Sequence, residues 1–165
     1  MAKTIYKEVT TKGAIEWAKI FEENRDMNGF EGQYEDSEGA YVLTQVLNKD
    51  EFEKLKKAGT MKKPIQKRLM DGEIAIKFER RHLVKDKAGK EIPQAGGAPK
   101  VVGPDGKRWD VETQGLIGNG TIAEVTNLIT TFPGQDGKTV SRTSLTKVKI
   151  IEHVPYVREE EGEEA

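Results

Sequence analysis

The chain contains no cysteine, which excludes disulfides, thiolate catalysis and cysteine-ligated metals. It has two histidines, His82 and His153, far apart and outside any cluster with metal-ligand spacing, so a structural role is the default for both. No apolar run approaches the roughly 20 residues of a membrane-spanning helix. The opening MAKTIYKEVTTKG lacks the apolar stretch of a secretory signal, so the expected compartment is a cytoplasm. Hydrophobic residues are 35% of the 165 and aromatics only 7%. The core must be thin, which suits one sheet or a small barrel better than a multilayer α/β enzyme.

Neither sign of charge dominates, with a net of −1, but the charges are unevenly placed. Glu159, Glu160, Glu161, Glu163 and Glu164 hold five of the 28 acids within the last seven residues. The body before them carries 27 basic and 23 acidic side chains, a net of +4. A basic body and an acidic tail can each have a partner.

Three short turns recur: Asp86–Lys90, Pro104–Lys107 and Gln135–Lys138. Each carries a Gly-Lys pair of the kind that connects strands. Between them, Gly13–Phe21 reads as a first strand and Tyr41–Leu47 as a second, rich in β-branched residues. Asp50–Ala58 reads as a helix, capped by Asn48 or Asp50, acidic first, basic last and ended by Gly59. Glu73–Leu83 alternates, with Ile74, Ile76 and Phe78 on one face and Ala75, Lys77 and Glu79 on the other. Thr121–Phe132 and Thr143–Val154 form a long hairpin. The expected fold is mostly β: an OB-like, five-stranded antiparallel barrel with one short helix and a disordered acidic C-terminal tail.

Several motifs imitate enzyme signatures and fail on context. Gly134–Thr139 lacks the first glycine and the following helix of a P-loop, and reads as a hairpin turn. Gly118–Ala123 matches a relaxed dinucleotide fingerprint without a βαβ unit. Gly115–Gly118 matches the GXXG loop of KH domains, but that loop joins helices. A sharp bend in a strand explains both glycine runs. Asn119–Thr121 is a glycosylation sequon, but the chain shows no secretory route. Asp110 and Glu112 are the carboxylates a metal-dependent nuclease would need, yet nothing at recognisable spacing accompanies them. No catalytic residue, metal ligand or cofactor site is expected, and the chain reads as a non-enzyme.

Three features point to nucleic acid. Lys54–Arg68 holds seven basic residues and no acid, and neutralising phosphates with such residues releases counterions. Aromatics stand beside cations: Trp17 and Phe21 flank Lys19, Arg80 and Arg81 follow Phe78, and Lys107 and Arg108 precede Trp109. Single strands are held by bases stacking on aromatics within a basic groove. For Trp17 and Trp109, stacking and core packing are level alternatives. Phe78 reads as core. The expected DNA-binding set is therefore Trp17, Lys19, Phe21, Lys62, Lys63, Lys67, Arg68, Lys77, Arg80, Arg81, Lys107, Arg108, Trp109, Lys147 and Lys149. The acidic tail is expected either to lie in the DNA groove until DNA displaces it or to recruit basic partners.

From about Gly13 to Tyr156 the chain resembles the single-stranded-DNA-binding proteins of T7-like bacteriophages. The resemblance rests on Gly13–Glu16, then on Asn28–Gly32 with Gly39–Leu43 before the helix start at Asn48–Asp50. It continues through Leu116–Val125 entering a strand and Val148–Val154 closing the body, with the acidic tail last. It implies an OB-fold single-stranded-DNA-binding domain over residues 1–157 and a tail over 158–165. It also implies a role in phage replication and recombination inside the infected bacterial host, contacts with polymerase and helicase-primase through the tail, and often a homodimer. Tails of that family commonly end in an aromatic residue, whereas this one ends in Gly162-Glu-Glu-Ala165. The competing readings are a virion or assembly β-protein that binds no DNA, and the nuclease.

Overall fold

The computed structural model describes residues 4–29, 32–65, 72–86, 88–92 and 96–156. Its elements are β1 (Ile5–Lys19), β2 (Ala40–Leu47), α1 (Lys49–Lys57), β3 (Ile74–Arg81), β4 (Lys100–Val102), α2 (Val111–Gln114), β5 (Thr121–Pro133) and β6 (Thr139–Glu152). The strands form one mostly antiparallel sheet in the order β3-β2-β1-β5-β6-β4. The sheet is open and has six strands where five in a barrel were expected. The added strand is β4, which pairs parallel with β6 at Lys100 opposite Lys147. The four-residue α2 is a second helix.

The long hairpin forms as its turn chemistry dictates. Asp136 Oδ1 accepts the Lys138 N–H at 3.0 Å, Gly134 N–H donates to the Lys138 carbonyl at 2.7 Å, and Pro133 faces Thr139. The P-loop imitation is thus a strand connection. α1 is likewise set by its ends: Asn48 Oδ1 accepts the Glu51 N–H at 2.9 Å, and Gly59 adopts φ +100° just beyond its end. Both are standard cap chemistry.

β1 is longer than the sequence suggests, beginning at Ile5. Residues 5–15 pair with β5, while β2 joins only from Ala14 onward. Gly13 stands where β1 enters this three-stranded stretch. A Cβ there would lie 2.1 Å from the Val46 carbonyl oxygen, so no side chain fits.

One continuous core lies inside the curved sheet. Ile15, Leu43, Leu47, Ile76, Phe78, Val125, Ile129, Leu145, Val148 and Ile150 fill it, and α1 adds Leu55. The alternation expected of β3 is the one observed. Gln45 crosses the interior, donating to the Thr11 carbonyl at 3.0 Å and to Ala123 at 3.2 Å, so this buried amide is satisfied. A second, smaller cluster sits on the outer face of β2, where Tyr34 from the β1–β2 connection packs on Ala40 and Val42.

Candidate nucleic-acid interface

Trp17 lies at a bulge. Between Glu16 and Lys19, β1 advances three residues while β2 advances two, from Thr44 to Val42. The extra residue bends the strand and re-aims a side chain. Trp17 takes φ +53°, a left-handed conformation that is an outlier for a bulky residue. Its N–H donates to Asn119 Oδ1 at 2.7 Å, yet its indole is 57% exposed. It opens onto a cavity of about 610 Å³ shared with Lys19, Asn119, Val154 and Tyr156. Tyr156 is itself 51% exposed.

The glycine run Gly115–Gly120 builds the wall of this cavity. Gly118 N–H donates to the Val154 carbonyl at 2.7 Å and Tyr156 N–H to the Leu116 carbonyl at 3.3 Å. Thr121 Oγ1 donates to the Gly118 carbonyl and accepts the Val154 N–H, each at 2.9 Å. A Cβ at Gly118 would lie 2.4 Å from the Pro155 carbonyl oxygen. Gly118→Ala is therefore expected to cost about 1–3 kcal/mol, as overpacking does. The same change should weaken any binding that depends on Asn119, and a denaturation midpoint equal to wild type would contradict this account.

A second cavity, of about 720 Å³, gathers cations near the C-terminal end of β3. Lys62, Arg80, Arg81 and Arg142 line it with one acid, Glu79, and with Ser144 and Thr130. Arg80 spans the gap between β3 and β6, donating to the Gly96 carbonyl at 2.9 Å, the Gly97 carbonyl at 3.0 Å and Ser144 Oγ at 3.4 Å. Burial lowers its affinity for the proton. Arg142 lies 5.4 Å from the centroid of the Phe132 ring, a cation–π pair on the hairpin. Lys19 faces Val42, and Val42 faces Glu79. Two strand spacings, about 10 Å, thus separate the aromatic site from the last residues of β3.

The other expected residues fall elsewhere. Trp109 is a core side chain, 6% exposed, with its Nε1–H donated to the Gly115 carbonyl at 2.9 Å. Phe21 follows the end of β1 and packs half-buried against the core, so it does not continue the face of Trp17 and Lys19. Lys77 lies 5.5 Å from the Tyr34 ring; so does Arg81, which meets Asp36 at 3.4 Å while also lining the basic cavity. The Tyr34 hydroxyl donates to Glu79; burial first, and then Glu79, push its phenol up. The outer face of β2 and β3 is thus covered by the β1–β2 connection.

Lys147 and Lys149 are half-buried on β6, opposite Thr126 and Glu124. Lys107 sits in an exposed turn, and Arg108 lines a different, acidic groove. Lys63 is exposed beside Lys62. Lys67, Arg68 and the five tail glutamates lie outside the described residues. Asp110, one of the two nuclease-like carboxylates, caps α2 by accepting the Glu112 N–H at 3.1 Å.

Sequence reading missed Asn119, Tyr156 and Arg142. The hairpin turn carried a signal for Arg142: its register sets Thr130 opposite Arg142 and Phe132 two residues away.

No protein-family model matches the chain, and no curated protein does. Solved structures do. The single-stranded DNA binding protein gp2.5 of bacteriophage T7 superposes with a TM-score of 0.59 at 16% identity, over 98% of this chain and 96% of that one. The single-stranded DNA-binding protein of bacteriophage Enc34 in complex with ssDNA superposes with a TM-score of 0.57 at 12% identity, over 93% and 89%. A C-terminal truncation of the Enc34 protein gives 0.54 at 11%, over 92% and 88%. Over nearly its whole length, the chain has the fold of phage single-stranded-DNA-binding proteins.

Proposed function

We propose that this protein binds single-stranded DNA without sequence preference during phage replication and recombination, and catalyses no reaction. The observation that carries the reading is Trp17, an exposed indole held in a left-handed conformation beside Lys19 and Tyr156. Strain of that kind concentrates at ligand sites. Bases stack on Trp17 and Tyr156, while Lys19, Lys62, Arg80, Arg81 and Arg142 neutralise phosphates. The Enc34 protein, whose structure holds ssDNA, supports the same reading through its fold.

The sheet is, in this reading, a partly open OB-type barrel. Its order places β1 between β2 and β5 and brings β3 toward β6 through Arg80 and Ser144. OB folds bind oligonucleotides on the face of strands 2 and 3 and on the adjoining loops. Here the β1–β2 connection covers that outer face, which leaves the ends of β1 and β3 and the loops beside them. The glutamate tail, in turn, serves replication proteins or competes for the DNA groove.

The test is a poly-dT titration followed by tryptophan fluorescence. Partial quenching is expected, because Trp17 is exposed and Trp109 is buried. Five phosphate contacts on a single strand give a slope of log K against log salt of about −3.5. Duplex DNA, whose bases are stacked away, should bind more weakly. Unquenched fluorescence with a flat salt response, or equal affinity for duplex, would overturn the proposal.

A further inference from the structure

The groove between Phe21 and α2 holds about 930 Å³, near the upper end of the roughly 300–1,000 Å³ of ligand clefts. Its apolar lining is the half-buried Phe21, Val111 and Leu116, backed by the buried Ile20, Val101 and Trp109. Its rim is acidic: Glu22 and Glu23 on one side, Asp110 and Glu112 on the other, against one cation, Arg108. All four carboxylates are exposed.

The rim is also held in place. Phe21 N–H donates to Asn24 Oδ1 at 3.1 Å, and Arg25 Nη1 donates to the Glu22 carbonyl at 2.8 Å. These bonds fix the short 3-10 turn Glu22–Asn24. Opposite it, the Asp110 cap fixes the start of α2.

We propose that this groove docks a basic peptide segment of a partner protein, one in which lysines or arginines flank large apolar side chains. Charge selects the occupant. Phosphates are repelled by a rim of net charge −3, and so is a glutamate-rich segment such as residues 159–164. The apolar floor needs leucine- or phenylalanine-sized anchors to exclude water, and the carboxylates pair with the flanking cations. The groove is thus a protein-docking surface chemically opposite to the two DNA cavities, and it stands independently of the DNA reading.

The probe is a fluorescein-labelled synthetic peptide alternating lysine with leucine and phenylalanine, titrated into the full chain and followed by anisotropy. Glu22→Gln with Glu112→Gln is expected to weaken the peptide at least tenfold while leaving poly-dT affinity unchanged. Replacing the peptide's leucines and phenylalanines by serine should weaken it comparably, and saturating poly-dT should not displace it. Equal peptide affinity for wild type and the double variant overturns the proposal, because the peptide then sits elsewhere. Displacement by poly-dT, or indifference to the serine replacements, overturns it too. If the double variant instead sediments as a smaller species than wild type, the groove holds a second copy, and the peptide assignment fails.

Discussion

Trp109→Ala is expected to destabilise the protein by about 3–5 kcal/mol, the usual cost of removing a large buried aromatic. The side chain is 6% exposed and belongs to the main core cluster. Its Nε1–H is bonded to the Gly115 carbonyl at 2.9 Å, and its ring meets the His153 imidazole edge-on at 4.8 Å. Its own N–H bonds the Val101 carbonyl at 2.9 Å. Truncation therefore opens a cavity where β4, α2 and the end of β6 meet. Trp109→Phe restores much of the volume but leaves the Gly115 carbonyl without its donor, a smaller loss of about 1–3 kcal/mol. Urea titrations of both variants check the order. A loss below 1 kcal/mol for the alanine variant would show that the indole packs little and faces solvent.

The two tryptophans show what could be read from the sequence and what could not. Each stands within two residues of a cation, Trp17 before Lys19 and Trp109 after Arg108, and composition treats them alike. Their fates are decided by features with no local signature: a bulge that turns Trp17 outward, and a four-residue helix whose end receives the Trp109 N–H. The long hairpin, α1 and the alternation of β3 were legible, because turn chemistry, caps and period act over a few residues. The first half of β1, before Gly13, was not. Ile5–Thr10 is largely exposed and owes its strand conformation to pairing with β5 more than a hundred residues away. β4 is only three residues long and parallel, too short for any period to show. The cations of β3 were visible as charges, but Tyr34, which approaches Lys77 and Arg81, comes from some forty residues earlier. Long-range pairing set what local pattern could not.

Trp17→Ala is expected to weaken poly-dT binding by about 1–3 kcal/mol, roughly 5- to 150-fold, the range for losing one stacked base. The folded state should change little, since the indole is 57% exposed and outside the core cluster. The backbone supplies a second, independent reading of the same site. At φ +53° any side chain with a Cβ is strained by about 1–2 kcal/mol, while glycine is not, at the cost of about 0.5–1 kcal/mol in unfolded-chain entropy. Trp17→Gly should therefore be more stable than Trp17→Ala by up to about 1 kcal/mol and bind DNA no better. A protein that is more stable with glycine at this position, yet has tryptophan there, bears the strain for what the indole touches. Tyr156→Ala, lining the same cavity, should lower affinity further in the Trp17→Ala background if the two rings hold different bases. Wild-type poly-dT affinity in both Trp17 variants would remove this cavity from the DNA path and leave the basic cavity at the end of β3 to carry binding alone.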